Sequence, residues 1–135
     1  MFPNGVDFII SETGPVVIEV NARFQGSLDT VEMSTGINLV DAHVKAFNNV
    51  LVPVNDRGTY SGRAILYADR ELIVTENTLK KLSGINICDI EPRTAINPME
   101  PVMSVLCSGH DREDVLIKLE ESVMFIRESL NLLDS

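Results

Sequence analysis

Asp7, Glu19 and Asn21 are the residues of this chain whose types and spacing suit metal chemistry. Two carboxylates and an amide oxygen make a set of hard oxygen ligands. Such a set fits Mg²⁺ or Mn²⁺, ions that keep open positions for phosphate oxygens. Arg23 follows two residues after Asn21, with Gln25, Gly26 and Asp29 close behind. A guanidinium beside a metal site supplies the forked donor that a phosphate or a carboxylate substrate needs. The plain alternative is that an acid in an apolar strand marks only the solvent side of a half-buried sheet. The run Glu19-Val20-Asn21-Ala22-Arg23-Phe24-Gln25-Gly26 favours the site, because it sets a cation beside the anions where a strand should end.

These residues need two strands to position them. Gly5 to Ile10 and Val16 to Asn21 are apolar runs, separated by the turn formers Ser11-Glu12-Thr13-Gly14-Pro15. Side chains alternate along a strand, so Glu19 and Asn21 share a face, and an antiparallel hairpin brings Asp7 beside them.

The stretch GVDFIISETGPVVIEVNARFQG resembles the closing motif of ATP-grasp ligases, particularly carboligase-like members related to biotin carboxylase and carbamoyl phosphate synthase. The resemblance is strong over about residues 5 to 48 and looser beyond, where GRAILYA is similar to a strand of that family. It implies that Asp7, Glu19 and Asn21 hold Mg²⁺ (or Mn²⁺) against ATP phosphates. It implies Arg23 as the catalytic phosphate or acceptor-carboxylate contact, and Glu19, Asn21, Arg23 and Gln25 as the nucleotide and substrate positions. Ala22 departs from the Pro or Thr common there, at a position that contributes backbone. Six residues precede Asp7, so the lysine-bearing lobe and phosphate loop of that family are expected outside this chain. The implied reading is the C-terminal catalytic segment of a carboxylate–amine or carboxylate–thiol ligase, inactive alone. Its partners would be ATP and a carboxylate in the full-length context. The rival is a non-catalytic interaction or regulatory domain derived from the same scaffold.

The expected fold is α+β, a mostly antiparallel sheet with flanking helices, forming the C-terminal portion of an ATP-grasp fold. A single domain, 1–135, is expected, with the site hairpin and its helices in 1–48 and a further sheet and long helix in 49–135. Short helices are expected over Thr30 to Met33, capped by Ser27 or Asp29 and closed near Gly36, and over Leu39 to Phe47, capped by Asn38. Residues 49 to 58 read as a loop. Strands follow at Tyr60 to Ala68, Leu72 to Thr75 and Val102 to Cys107, with a helix from Asn77 to Leu82 and an irregular stretch over 91 to 101. The last helix, capped at Asp111, carries Leu116, Leu119, Val123, Ile126, Leu130 and Leu133 as a stripe suited to docking on a sheet. Val115, Ile117 and Phe125 lie off that stripe.

Composition narrows the classes. The chain has 135 residues, 44% hydrophobic, enough for one domain with a core. A net charge of −9 opposes nucleic-acid binding, which draws on clustered Lys and Arg. No apolar run approaches the roughly 18 residues of a membrane span, and no secretory signal opens the sequence. Cys88 and Cys107 lack metal spacing and read as buried reduced thiols, which favours the cytoplasm. His43 reads as a packing histidine, His110 as part of a polar turn, and Arg63 as an exposed strand residue with a lesser claim as a substrate contact. No G-x-S-x-G, G-x-G-x-x-G or Walker sequence is present. An uncovered edge along Gly5 to Ile10 is expected to produce a homo-oligomer, or pairing with missing ATP-grasp lobes.

Overall fold

Gly14, at φ 119°, reverses the chain within two residues and joins β1 (Gly5–Ser11) to β2 (Gly14–Asn21). Few residues other than glycine adopt that backbone. Ser11 locks the turn, its hydroxyl donating to the Gly14 carbonyl at 2.7 Å. Ser11, Gly14 and Pro15, expected in the turn, are therefore strand residues. The structure, a computed structural model, describes residues 4–54, 57–92 and 95–130. Asn55 and Asp56 of the expected loop, and Leu133 of the helical stripe, lie outside those residues.

Two compact units divide the chain, Met1–Arg57 and Gly58–Ser135. In the first, the hairpin is followed by α1 (Leu28–Thr35) and α2 (Leu39–Phe47). Gly36 ends α1 in the left-handed conformation at φ 68°, its N–H donating to Glu32 O at 2.7 Å. The Arg57 guanidinium fills the space a side chain at Gly36 would need, a second reason for glycine there. Asn38 caps α2 as expected, accepting from Asp41 N at 2.7 Å. Ser27 stands at the α1 cap position without a side-chain cap bond, and Asp29 lies inside the first turn. Glu32 ties the helices together, its carboxylate accepting from Leu39 N at 2.6 Å.

No described residue of this first unit is buried. Phe8 is 54% exposed, Ile10 73% and Ile18 63%, so the apolar strands carry no covering layer within the unit. Polar and apolar positions of this hairpin alike are exposed within the unit.

The core belongs to the second unit. β3 (Tyr60–Tyr67), β7 (Pro101–Gly109) and β5 (Ile87–Cys88) form an antiparallel sheet in the order β3-β7-β5. β4 (Leu72–Ile73) pairs with β6 (Ala95–Ile96), and α3 (Glu76–Lys81) is capped by Thr75. β5 and β6 were not expected; two-residue strands carry too little periodicity to be read. α4 (Arg112–Ser129), capped at Asp111, packs on β3 and β7. Gly62 permits the crossing, since a Cβ there would lie 2.7 Å from Val115 Cγ1.

The buried face of α4 keeps Leu119 and Ile126 of the expected stripe but takes Val115 in place of Leu116. Val115, Leu119 and Ile126 are buried, while Leu116 is 40% exposed. Val123 and Leu130 pack partly against the same core. Val115 takes the first position because the strand-to-helix turn at Gly109–Asp111 aims it at Gly62. Among the described residues no helix is long and apolar enough to cross a membrane.

At that turn, Asp114 accepts from Lys118 Nζ at 2.8 Å and from His110 N at 3.1 Å. The Lys118 hydrogen bond, then the His110 N–H, hold its carboxyl below the ordinary 3.8. A carboxyl with a depressed folded value adds stability above its unfolded value and loses it as pH falls through the folded one. Asp114→Asn should therefore unfold at a lower temperature than the parent near about pH 7, with the gap closing below about pH 4. Thermal unfolding across that range, followed by circular dichroism, checks it; a gap independent of pH would refute the assignment.

Candidate functional site

Antiparallel pairing sets Asp7 directly opposite Glu19, and Gly5 opposite Asn21. Cross-strand partners share a face, so both carboxylates lie on one side of the hairpin. The register shifts just after Asp7, where Phe8 faces Val17 and leaves Ile18 as the extra residue of a bulge. Bulges re-aim side chains, and this one falls beside the acidic pair. Asn21 Nδ2 donates to Asp7 Oδ2 at 3.2 Å, which brings the third residue into the group. Asp7 and Glu19 are exposed and Asn21 is half-buried.

Two facing carboxylates repel one another in a strand pair. A divalent cation between them would cancel that repulsion, and the donor set of two carboxylates and an amide suits Mg²⁺ or Mn²⁺. The amide nitrogen of Asn21 is engaged by Asp7, so its amide oxygen is the atom that would meet an ion. The described residues contain no group of three His, Cys, Asp or Glu side chains that could hold a metal. Any ion here would complete its coordination from outside the chain.

The chain leaves β2 through a tight bend. Arg23 N donates to Asn21 O at 2.9 Å, and Gln25 Nε2 reaches back to Arg23 O at 3.3 Å and to Asn21 O at 3.5 Å. Gln25 folds over Gly5, where any larger residue would collide with its side chain. The Arg23 side chain is left exposed, with Nη1 donating to Phe24 O at 3.4 Å. Arg23 and Gln25 also line a cleft of about 340 Å³ against α1 and α2, together with His43. His43 packs edge-on to Phe24 at 6.4 Å and to Phe47 at 5.0 Å between ring centroids. That His43 packs on a face of α2 agrees with its reading from the sequence as a packing histidine. That this face borders a cleft beside Arg23 was not legible in the sequence, and neither was the requirement for Gly5.

Other expected residues sit elsewhere. Arg63 is not the exposed strand residue expected: its side chain is 22% exposed and ion-paired with Asp89. Its Nε and Nη2 donate to the buried Ser104 hydroxyl at 3.1 and 2.8 Å. This is internal cross-bracing of the second unit. Cys88 and Cys107 are thiols, but half-buried rather than buried.

The ATP-grasp domain family model matches residues 3–27. Asp7, Glu19, Asn21, Arg23 and Gln25 all fall inside that stretch. The uncharacterized protein MJ0776 of Methanocaldococcus jannaschii is 33% identical over 119 residues, covering 87% of this chain and 29% of the relative. The chain thus spans less than a third of that protein's length. Of these two similarities, the family match alone links residues 3–27 to ATP-grasp domains.

They also correct two expectations. The family match lies at the N-terminal end of the chain, over 3–27, and not over a C-terminal ATP-grasp portion running from 1 to 135. The fold is mixed α and β with antiparallel sheets, consistent with ATP-grasp proteins, but the matched part is the hairpin and the bend after it. Motif residues confined to 25 or so positions cannot assign the sheet and long helix that follow, which are held by a core of their own.

Proposed function

We propose that the hairpin serves ATP-dependent ligation of a carboxylate to an amine or thiol, within a longer ATP-grasp protein. The juxtaposition of Asp7, Glu19 and Asn21, inside the matched stretch, is the observation that supports this reading most. These three side chains would hold Mg²⁺ or Mn²⁺, and the ion supplies charge neutralisation at the nucleotide phosphates. The γ-phosphoryl group passes to a carboxylate oxygen as ADP leaves, and the nucleophile then displaces phosphate from the acyl phosphate. Arg23 pairs with the carboxylate and with the phosphoryl oxygens that succeed it, an electrostatic contact fixed before reaction. Gln25 holds the bend that carries Arg23.

Titration of the chain with Mn²⁺, read by paramagnetic broadening of amide signals, tests the site. Broadening centred on Asp7, Glu19 and Asn21, saturating near millimolar ion, is the expected result for a ligand set of about three oxygens. ATP hydrolysis by this chain alone should be absent. Broadening spread over the acidic surface without a centre, or enzyme-like ATP turnover, would defeat the proposal.

The uncovered hairpin supports a further part of this reading, contact with other polypeptide. Val6, Phe8, Val17 and Val20 are each 45% exposed or more, along strands whose outer edges have no partner among the described residues. Sedimentation at micromolar concentration should show a dimer or larger species. A monomer near 14.9 kDa would contradict self-pairing.

A further inference from the structure

We propose that the cleft beside Arg23 binds a small organic carboxylate with an apolar body. Its volume of about 340 Å³ lies at the small end of ligand pockets. Leu28, Leu39, Ala42 and Ala46, all half-buried, form its apolar wall. No Asp or Glu lines it, although the chain carries 20 acidic residues and a net charge of −9. Arg23 is the charged residue of its lining, and its guanidinium forms no ion pair among the described residues and one long bond, 3.4 Å, to Phe24 O. An acidic chain that keeps carboxylates away from an apolar cleft and sets arginine in its lining selects an anion.

The kind of anion follows from the wall. A carboxylate matches the guanidinium fork with two parallel hydrogen bonds, and its body can leave water against the leucine and alanine side chains. A bare phosphate dianion would gain the cation and nothing from the apolar wall. An amine would be repelled by Arg23. The neighbouring groups are already fixed: Gln25 by its bonds to Asn21 O and Arg23 O, and His43 by its edge contacts with Phe24 and Phe47. The cleft is thus preorganised. As the identity of the ligated acid this deepens the ligase reading and rests on it. As a binding event it needs neither metal nor nucleotide.

The test is titration of the 135-residue chain with 3-phenylpropionate in EDTA, followed by amide chemical shifts. Saturable shifts at Leu28, Leu39, Ala42 and Ala46 are expected. The affinity should be about ten-fold or more above that for acetate, which lacks the body, and 3-phenylpropan-1-ol, which lacks the charge. Arg23→Gln should lose about ten-fold, and Ala42→Phe, which fills the cleft, should abolish binding. If Ala42→Phe disturbs the helical spectrum, Ala46→Val carries the same expectation in weaker form. Equal binding of the alcohol or of acetate, unaltered binding by the filled variants, or no saturable shift overturns the proposal. Loss of carboxylate binding with centred Mn²⁺ broadening intact would remove the cleft and spare the metal site. The converse would remove the metal reading and spare the cleft.

Discussion

Glu19→Gln should weaken Mn²⁺ binding by the chain about ten-fold and, in a protein joining this segment to an ATP-binding lobe, reduce ligation by about a thousand-fold or more. The substitution removes one negative charge and keeps the shape of the side chain. Glu19 is exposed on a hairpin with no covering layer, so nothing packed depends on its carboxylate. It faces Asp7, and an amide there relieves the repulsion between the two acids. The unfolding midpoint should therefore hold steady or rise slightly while ion binding falls. That opposition separates a ligand from a structural residue. Isothermal titration with Mn²⁺ and a thermal melt on the same sample decide it; equal metal affinity in parent and variant would remove Glu19 from the site.

Ile126→Ala should cost about 2–5 kcal/mol of stability in the second unit. Ile126 is fully buried, and its removal opens a cavity between α4 and the sheet that the rigid β3–β7 pair cannot close. Domains of this size have a total stability of about 5–15 kcal/mol, so the loss is a large share. Leu116→Ala, at a position 40% exposed on the same helix, should cost less than about 1 kcal/mol. Urea unfolding of both variants by circular dichroism provides the comparison. Similar losses would mean that Leu116, and not Val115, joins Leu119 and Ile126 in the core. The first unit has no buried residue among those described, and its hairpin signals should change little in either variant.

Much of the local structure was legible because its causes are local. Apolar runs on either side of the turn formers at 11–15 mark β1 and β2, and cap residues at Asn38 and Asp111 fix the starts of α2 and α4. The grouping of Asp7, Glu19 and Asn21 was also available, since alternation along a strand and the length of the turn set it together. Three matters depended on the tertiary structure. Which face of α4 is buried was decided by Gly62, whose missing side chain admits Val115; a helical stripe offers adjacent faces that differ by a small rotation. Arg63 became a brace because β7 places Ser104 beside it and Asp89 follows β5, a convergence of residues 26 and 41 positions away. The cleft beside Arg23 arises only when the bend after β2 meets α1 and α2. Composition along the chain cannot show that the space between them is free of acid, because that is a property of three segments at once.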